Sequence, residues 1–237
     1  MPADADPVFE VATIKANPSG AAAKLVRVTG CQISTTNTSV SYLITYAYGI
    51  QARQITGGPA WLEVEKYDVT AKPEGEGQPN DKQWKIMFQK LLADRFQLAF
   101  HRDKKELSVY AIVIGKTGSK LTRSAGDPNG GPSLLFRGAN LPAKNATMAD
   151  FAGVMERTVL DRPVVDQTGL SGRFDFQLKW TPDETQFGGR VRPPSDDAAA
   201  PPDLFTAFQE QLGLKLQATK APVDVIVIDR VAKPSEN

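Results

Sequence analysis

Three aspartates and two tryptophans are the side chains of this sequence best suited to chemistry. Asp68, Asp166 and Asp175 stand in or beside short alternating segments and turns. A converging pair of such carboxylates would supply the acid and the base of an ester or glycoside hydrolase. Trp61 follows Gly58-Pro59-Ala60, and Trp180 ends an alternating segment ahead of a Gly/Pro-rich stretch. At such places flat apolar rings suit a sugar or an aromatic ligand. Asp68 and Asp175 also have a plainer reading. Each lies between apolar residues that face a core, so its carboxylate points to the wetter side and can cap the preceding Gly turn by accepting backbone N–H groups. The third tryptophan, Trp84, falls on a helical stripe, where core packing is expected.

The remaining candidates for catalysis are few. His101 is the one histidine, so any Ser-His or Cys-His scheme must use it as base. It follows Phe96, Leu98 and Phe100 and precedes Arg102-Asp103-Lys104-Lys105-Glu106, which reads as a strand end entering an exposed charged turn. His101-Arg102-Asp103 matches the opening of a kinase catalytic loop, but Ser108 stands where the loop needs Asn. Ser171, in Gly169-Leu170-Ser171-Gly172, lacks the spacing of a nucleophile elbow and reads as a turn residue. Cys31 has no second cysteine to bridge to and is expected as a buried small hydrophobe. No metal ligand set and no cofactor motif is read.

Charge narrows the partners. With 28 basic and 27 acidic side chains the formal charge is +1, so no overall field draws nucleic acid. The apolar runs Ala111–Ile114 and Val225–Ile228 fall far short of the roughly 18 residues that a membrane helix needs, so no span is expected. Met1-Pro2-Ala3-Asp4-Ala5-Asp6 has neither the basic segment nor the apolar core of a signal peptide. That leaves a cytosolic protein, or one whose leader has been removed.

The elements that would position these residues recur twice. Val40, Leu43, Ile44 and Ala47 follow Thr38-Ser39 at helical spacing; Met148, Phe151, Ala152 and Met155 follow Thr147, 108 positions later, with Asn37 and Asn145 at the same offset. Each helix leads to a Thr-Gly turn, Thr56-Gly57 or Thr168-Gly169, and then to an alternating strand, Tyr67–Lys72 or Phe174–Lys179. Polar insertions, Pro73–Asp81 and Pro182–Asp203, should loop outward. Helical stripes follow at Trp84, Phe88, Leu91 and Leu92, and at Leu204, Phe205, Phe208 and Leu212. Each half ends in a paired-strand pattern: Phe96–Phe100 with Val109–Val113, and Leu214–Leu216 with Val223–Val227. Leading strands are expected at Leu25–Ser34 and Leu134–Gly138, with Phe9–Ile14 as an extra one.

The fold class is therefore α+β, internally duplicated, with two β-α-β-α-β-β halves forming one pseudo-twofold body. Residues 1–237 make a single duplicated domain, with a first half over 8–114, a linker over 115–133 and a second half over 134–231. A half of this size buries little surface alone, so the halves are expected to share a core, with a cleft at their seam as the default ligand site.

The stretches Phe9–Lys15, Ile55–Leu62, Leu91–Phe96, Pro163–Asp175, Phe208–Leu214 and Val227–Asp229 resemble a soil-associated domain of unknown function that is greatly expanded in Acidobacteria. Members of that family typically carry signal peptides, and some are fused behind membrane metallopeptidases similar to beta-lactam-sensing antirepressors. The resemblance implies an extracytoplasmic location and favours sensing or binding. It assigns no catalytic residue and no cofactor.

The leading expectation is an extracytoplasmic, non-catalytic ligand-binding or sensing module for a small molecule or an envelope protein, its ligand contacts sought among Trp61, Trp180, Asp68, Asp166 and Asp175. The alternatives are a secreted hydrolase using paired carboxylates and a purely structural envelope protein.

Overall fold

The computed structural model describes residues 6–19, 24–75, 77–127, 130–189, 191 and 200–234. Residues 1–5 of the Met1–Asp6 start, and 190 and 192–199 of the second expected insertion, lie outside them. The protein is α+β and divides into two compact units, Met1–Lys104 with Asp224–Asn237, and Lys105–Val223. No helix among the described residues is long and apolar enough to cross a membrane.

The first unit runs β1 (Phe9–Ala16), β2 (Lys24–Thr29), β3 (Gln32–Ser39), α1 (Val40–Tyr48), β4 (Ile55–Gly57), α2 (Trp61–Val64), β5 (Lys66–Pro73), α3 (Asp81–Arg95) and the start of β6 (Ala99–Ile114). Strands β1, β5, β3 and β2 form an antiparallel sheet in that order. Ile14, Ile33, Val69 and Ala71 alternate onto the face that meets α1 and α3. The expected helical stripes are what fills this core: Val40, Leu43, Ile44 and Ala47 from α1, and Trp84, Phe88, Leu91 and Leu92 from α3, are all buried. Burial of each large side chain contributes roughly 1.5–3 kcal/mol. Asn80 caps α3 through a reciprocal box with Gln83.

The second unit continues β6 and adds β7 (Thr122–Arg123), β8 (Ser133–Leu134), β9 (Asn140–Ala146), α4 (Met148–Val154), a π turn over Met155–Val159, β10 (Val164–Asp166), β11 (Phe174–Lys179), α5 (Leu204–Leu212) and most of β12 (Leu214–Arg230). Its antiparallel sheet has the order β7, β11, β9, β8. Its core gathers Met148, Phe151 and Met155 with Leu178, Trp180, Phe208 and Leu212. Phe151 stacks on Phe208 at 5.4 Å.

Strands β6 and β12 are hydrogen-bonded neighbours, and each contributes residues to both units. In the first unit β4 adds in parallel to Ile226–Ile228 of β12; in the second β10 adds in parallel to Tyr110–Ile112 of β6.

Several expectations change. Each paired-strand ending is one long strand, of 16 residues in β6 and 17 in β12. Leu25–Ser34 is not one strand but the β2-β3 hairpin, turned at Gly30-Cys31 with Gly30 at φ 59°. The turn leaves Cys31 exposed rather than buried. The stretch 115–133, expected as a linker, contains β7 and the first residue of β8. The second insertion does not wholly loop outward, because Gln186 is buried and Phe187 stacks on Trp180 at 5.8 Å.

Candidate functional site

The first unit carries an open groove of about 520 Å³ where the sheet edge meets the helices. Strand β2 ends its sheet, and its alternate residues Val26 and Val28 form one wall. Tyr42 and Tyr46, one turn apart on α1, form another. They lie off the buried stripe of that helix, so the core covers them only in part. Gln78 and Pro79, with Asp81 and Trp84 of the first turns of α3, complete the lining.

Packing behind the groove fixes these rings. Tyr46 meets Phe88 edge to face at 5.3 Å, and Phe9 lies against Trp84 at 6.2 Å. Gln89 ties α3 to α1 by donating from Nε2 to the Ala47 carbonyl at 2.8 Å. Burial pushes the Tyr46 hydroxyl well above its ordinary range, with the negative charge of Asp81 and the neighbouring Tyr42 acting in the same direction. The phenol therefore stays protonated and can act as a donor. Asp81 itself is paired with Lys85 at 2.6 Å along the helix surface, and its side chain stays 72% exposed.

None of the five residues singled out from sequence lines this groove. Trp61, at the start of α2, is half-buried against the first core, and the Lys233 ammonium sits over its ring at 5.9 Å. Lys233 also pairs with Glu65, which accepts from the Tyr67 hydroxyl at 3.0 Å. The hydrogen bond from Lys233 first, and Tyr67 after it, hold the Glu65 carboxyl below its usual range. Trp180 is not free at a strand end. It is 2% exposed, packs against Phe136 and Phe187, and donates from Nε1 to Gln186 at 2.7 Å. The loop that follows folds back over the indole and satisfies its N–H, as a buried tryptophan requires.

The aspartates serve the backbone. Asp68 accepts the Asn37 N–H at 2.8 Å, and Asp175 accepts the Asn145 N–H at 2.9 Å. The amides they hold belong to the neighbouring strand, not to the Gly turn expected from sequence. The register explains why. Thr35 pairs with Val69 and Thr38 with Tyr67, so Thr36-Asn37 bulge opposite Asp68; Ala143 pairs with Phe176 and Ala146 with Phe174, so Lys144-Asn145 bulge opposite Asp175. Both asparagines take left-handed backbone, at φ 54° and 53°. Two residues later Ser39 and Thr147 cap α1 and α4.

Asp175 also accepts from Lys144 at 3.1 Å, and its carboxyl is held below the usual range by the Asn145 amide first, then Ser124 and Lys144. Asp166 is exposed and folds onto its own turn, accepting the Thr168 N–H at 2.9 Å and hydroxyl at 2.7 Å. His101 lies within strand β6, not at a turn, and its Nδ1 is 2.8 Å from Asp229 Oδ1 on β12. Among the described residues no three His, Cys, Asp or Glu side chains gather as a metal set.

The signal that would have found the groove is the Tyr42, Tyr46 pair at i, i+4 beside, rather than within, the apolar stripe. Fold and groove together define an α+β protein with an aromatic surface cleft. A family model described as protein of unknown function (DUF3738) matches residues 41–231, and the chain belongs to that family. No curated protein and no solved structure matches it.

Proposed function

We propose that this chain is an extracytoplasmic, non-catalytic ligand-binding or sensing module, and that the Tyr42–Tyr46–Trp84 groove of its first unit holds the ligand. The observation that carries this reading is the groove itself: three aromatic residues with two valines line about 520 Å³, edged by the few polar groups of Gln78, Asp81 and the tyrosine hydroxyls. Apolar walls with sparse, fixed polar groups are the usual makeup of a small-molecule site. The similarity to a family expanded in Acidobacteria, whose members typically carry signal peptides, supports the extracytoplasmic placement.

The two halves, residues 8–114 and 134–231, are, in this proposal, copies of one plan. The bulged Asn held by an Asp supports it, because the arrangement recurs with the same backbone sign, the same strand register and the same distance to a helix cap. A hydrolase with paired carboxylates draws no support from Asp166 and Asp175, each of which holds a backbone amide.

The test is a thermal-shift screen of soluble small molecules against the full chain and against Val28→Arg, a substitution at an exposed rim residue. A ligand of the groove raises the melting temperature of the parent and not of the variant. A ligand that stabilises both equally, or turnover of ester or glycoside substrates by the parent, would overturn the proposal.

A further inference from the structure

Charge and hydrogen-bonding capacity narrow what the groove accepts, on the footing that it is a ligand site. We propose that its ligand is an organic cation, with an alkylated ammonium centre against the rings of Tyr42 and Tyr46 and an apolar body on Val26 and Val28.

Three comparisons of ligand chemistry lead there. Anions are disfavoured, since among the described residues lining the groove the one charged side chain is Asp81, a carboxylate. The side chain of Asn80 accepts the Gln83 N–H, and the Asp81 carboxylate in the same turn of α3 opposes an anion there. Sugars fit poorly as well. Each hydroxyl moved out of water needs a new partner, and a polyol lying along Val26, Val28 and Pro79 would leave several without one.

A cation gains where both of these lose. Tyrosine and tryptophan faces attract it through their ring quadrupoles, by about 0.5–2 kcal/mol depending on desolvation. The Asp81 carboxylate adds a charge of the right sign at the rim, and its pairing with Lys85 leaves it largely exposed. An alkylated ammonium also carries methyl groups that shed water readily onto valine. A neutral hydrocarbon of equal shape would keep only the apolar part of this gain.

The experiment is an NMR titration of the full chain, following amide shifts of residues 26–28, 42–46 and 78–84. The probes are choline, its uncharged carbon isostere 3,3-dimethylbutanol, benzenesulfonate and methyl glucoside. Choline is expected to move these amides and to bind roughly tenfold more tightly than the isostere, with no response to benzenesulfonate. Asp81→Asn and Tyr42→Leu, both at groove positions outside the deep core, should each cut the ratio of choline to isostere affinity at least about threefold.

Equal affinity for choline and its isostere, or tighter binding of the glucoside or the sulfonate at these residues, overturns the cation assignment and leaves the groove standing as a binding site. Silence of all four probes, together with a thermal-shift screen that finds no groove ligand, overturns both.

Discussion

Asp68 and Asp175 do the same local job in two different settings. Each takes the amide of a left-handed asparagine at a bulge, two residues ahead of a helix cap. Asp68 adds a bond from Asn17 Nδ2 at 2.8 Å, supplied by the residue after β1, whereas Asp175 adds Lys144 on the bulge itself. The backbone requirement is what the two units share, and the second partner is what they vary. The bulge turns the strand into the helix, so the geometry of α1 and α4 hangs on it, whatever else the carboxylate touches.

The largest effect should come from breaking the bulge backbone. Valine at 37 or 145 cannot take φ near +54° without strain, since β-branching aggravates a conformation already costing L residues roughly 1–2 kcal/mol. We expect Asn145→Val to destabilise by about 3 kcal/mol, because it also loses the Nδ2 bonds to the Asp127 and Gly130 carbonyls. Asn145→Gly keeps the backbone and should cost only about 1 kcal/mol. Denaturant unfolding followed by tryptophan fluorescence checks this. Trp180 reports the second unit, and Trp61 and Trp84 report the first. If Asn37→Val leaves the first unit unaffected, the two bulges are not equivalent.

Next in size is removal of the carboxylate. Asp68→Ala strands the Asn37 amide and should cost about 1–3 kcal/mol. Asp175→Ala should destabilise the second unit in a way that depends on pH. The folded carboxyl titrates below its ordinary range, so its contribution is present above the unfolded value and disappears as pH falls through the lower folded value. Acid titration of the parent should therefore show a loss of stability below about pH 4 that is blunted in Asp175→Asn. Identical acid limbs would mean that Asp175 does not hold the bulge.

A smaller contrast separates the turns that precede the two parallel strands. Gln54, ahead of β4, is neutral and buried; its Nε2 donates to the Asp224 carbonyl at 3.0 Å. Glu156, ahead of β10 in the π turn, accepts the Val164 N–H at 2.8 Å, and burial raises its carboxyl above the ordinary value despite that bond. A raised carboxyl stabilises fully below the unfolded value, and that contribution fades as pH rises through the folded one. Glu156→Gln, which keeps an acceptor, should therefore be neutral to about 1 kcal/mol stabilising at pH 7 and show no gain near pH 4. Destabilisation at pH 7 would show that the charge itself is needed there.

What the sequence made legible follows period and caps. The stripes at 40–47 and 148–155 and the alternating strands at 67–72 and 174–179 were readable because one face of each is buried. The long strands were not. Residues 101–106 of β6 are all exposed, so no alternation marks them as strand; backbone pairing with β12 carries them instead. In β12 Pro222 mimics a turn, yet it lies outside the stretch paired with β4, where a strand tolerates proline. The groove is not legible because its lining comes from β2, α1 and α3, whose meeting no single period encodes, and Trp180 reads as a free strand end because its cover is a Gly-rich loop. Asn37 and Asn145 show in the sequence only as a matching offset, although asparagine is among the residues that most readily take left-handed backbone outside glycine.

The smallest effect should fall on the pair that looks most like machinery. His101 and Asp229 join β6 to β12 at 2.8 Å, but their side chains are 58% and 49% exposed. Water and salt screen such a pair, and ordering two exposed side chains offsets much of the attraction, leaving about 0–1 kcal/mol. His101→Ala should change stability by no more than about 0.5 kcal/mol, with the difference shrinking further in high salt. The bulge aspartates hold amides that water reaches poorly, so their loss leaves a donor without a partner; here both groups return to solvent. A loss near 2 kcal/mol on His101→Ala would reverse that ranking, and would mean that the solvated middle of β6 depends on a side-chain clamp rather than on its backbone ladder.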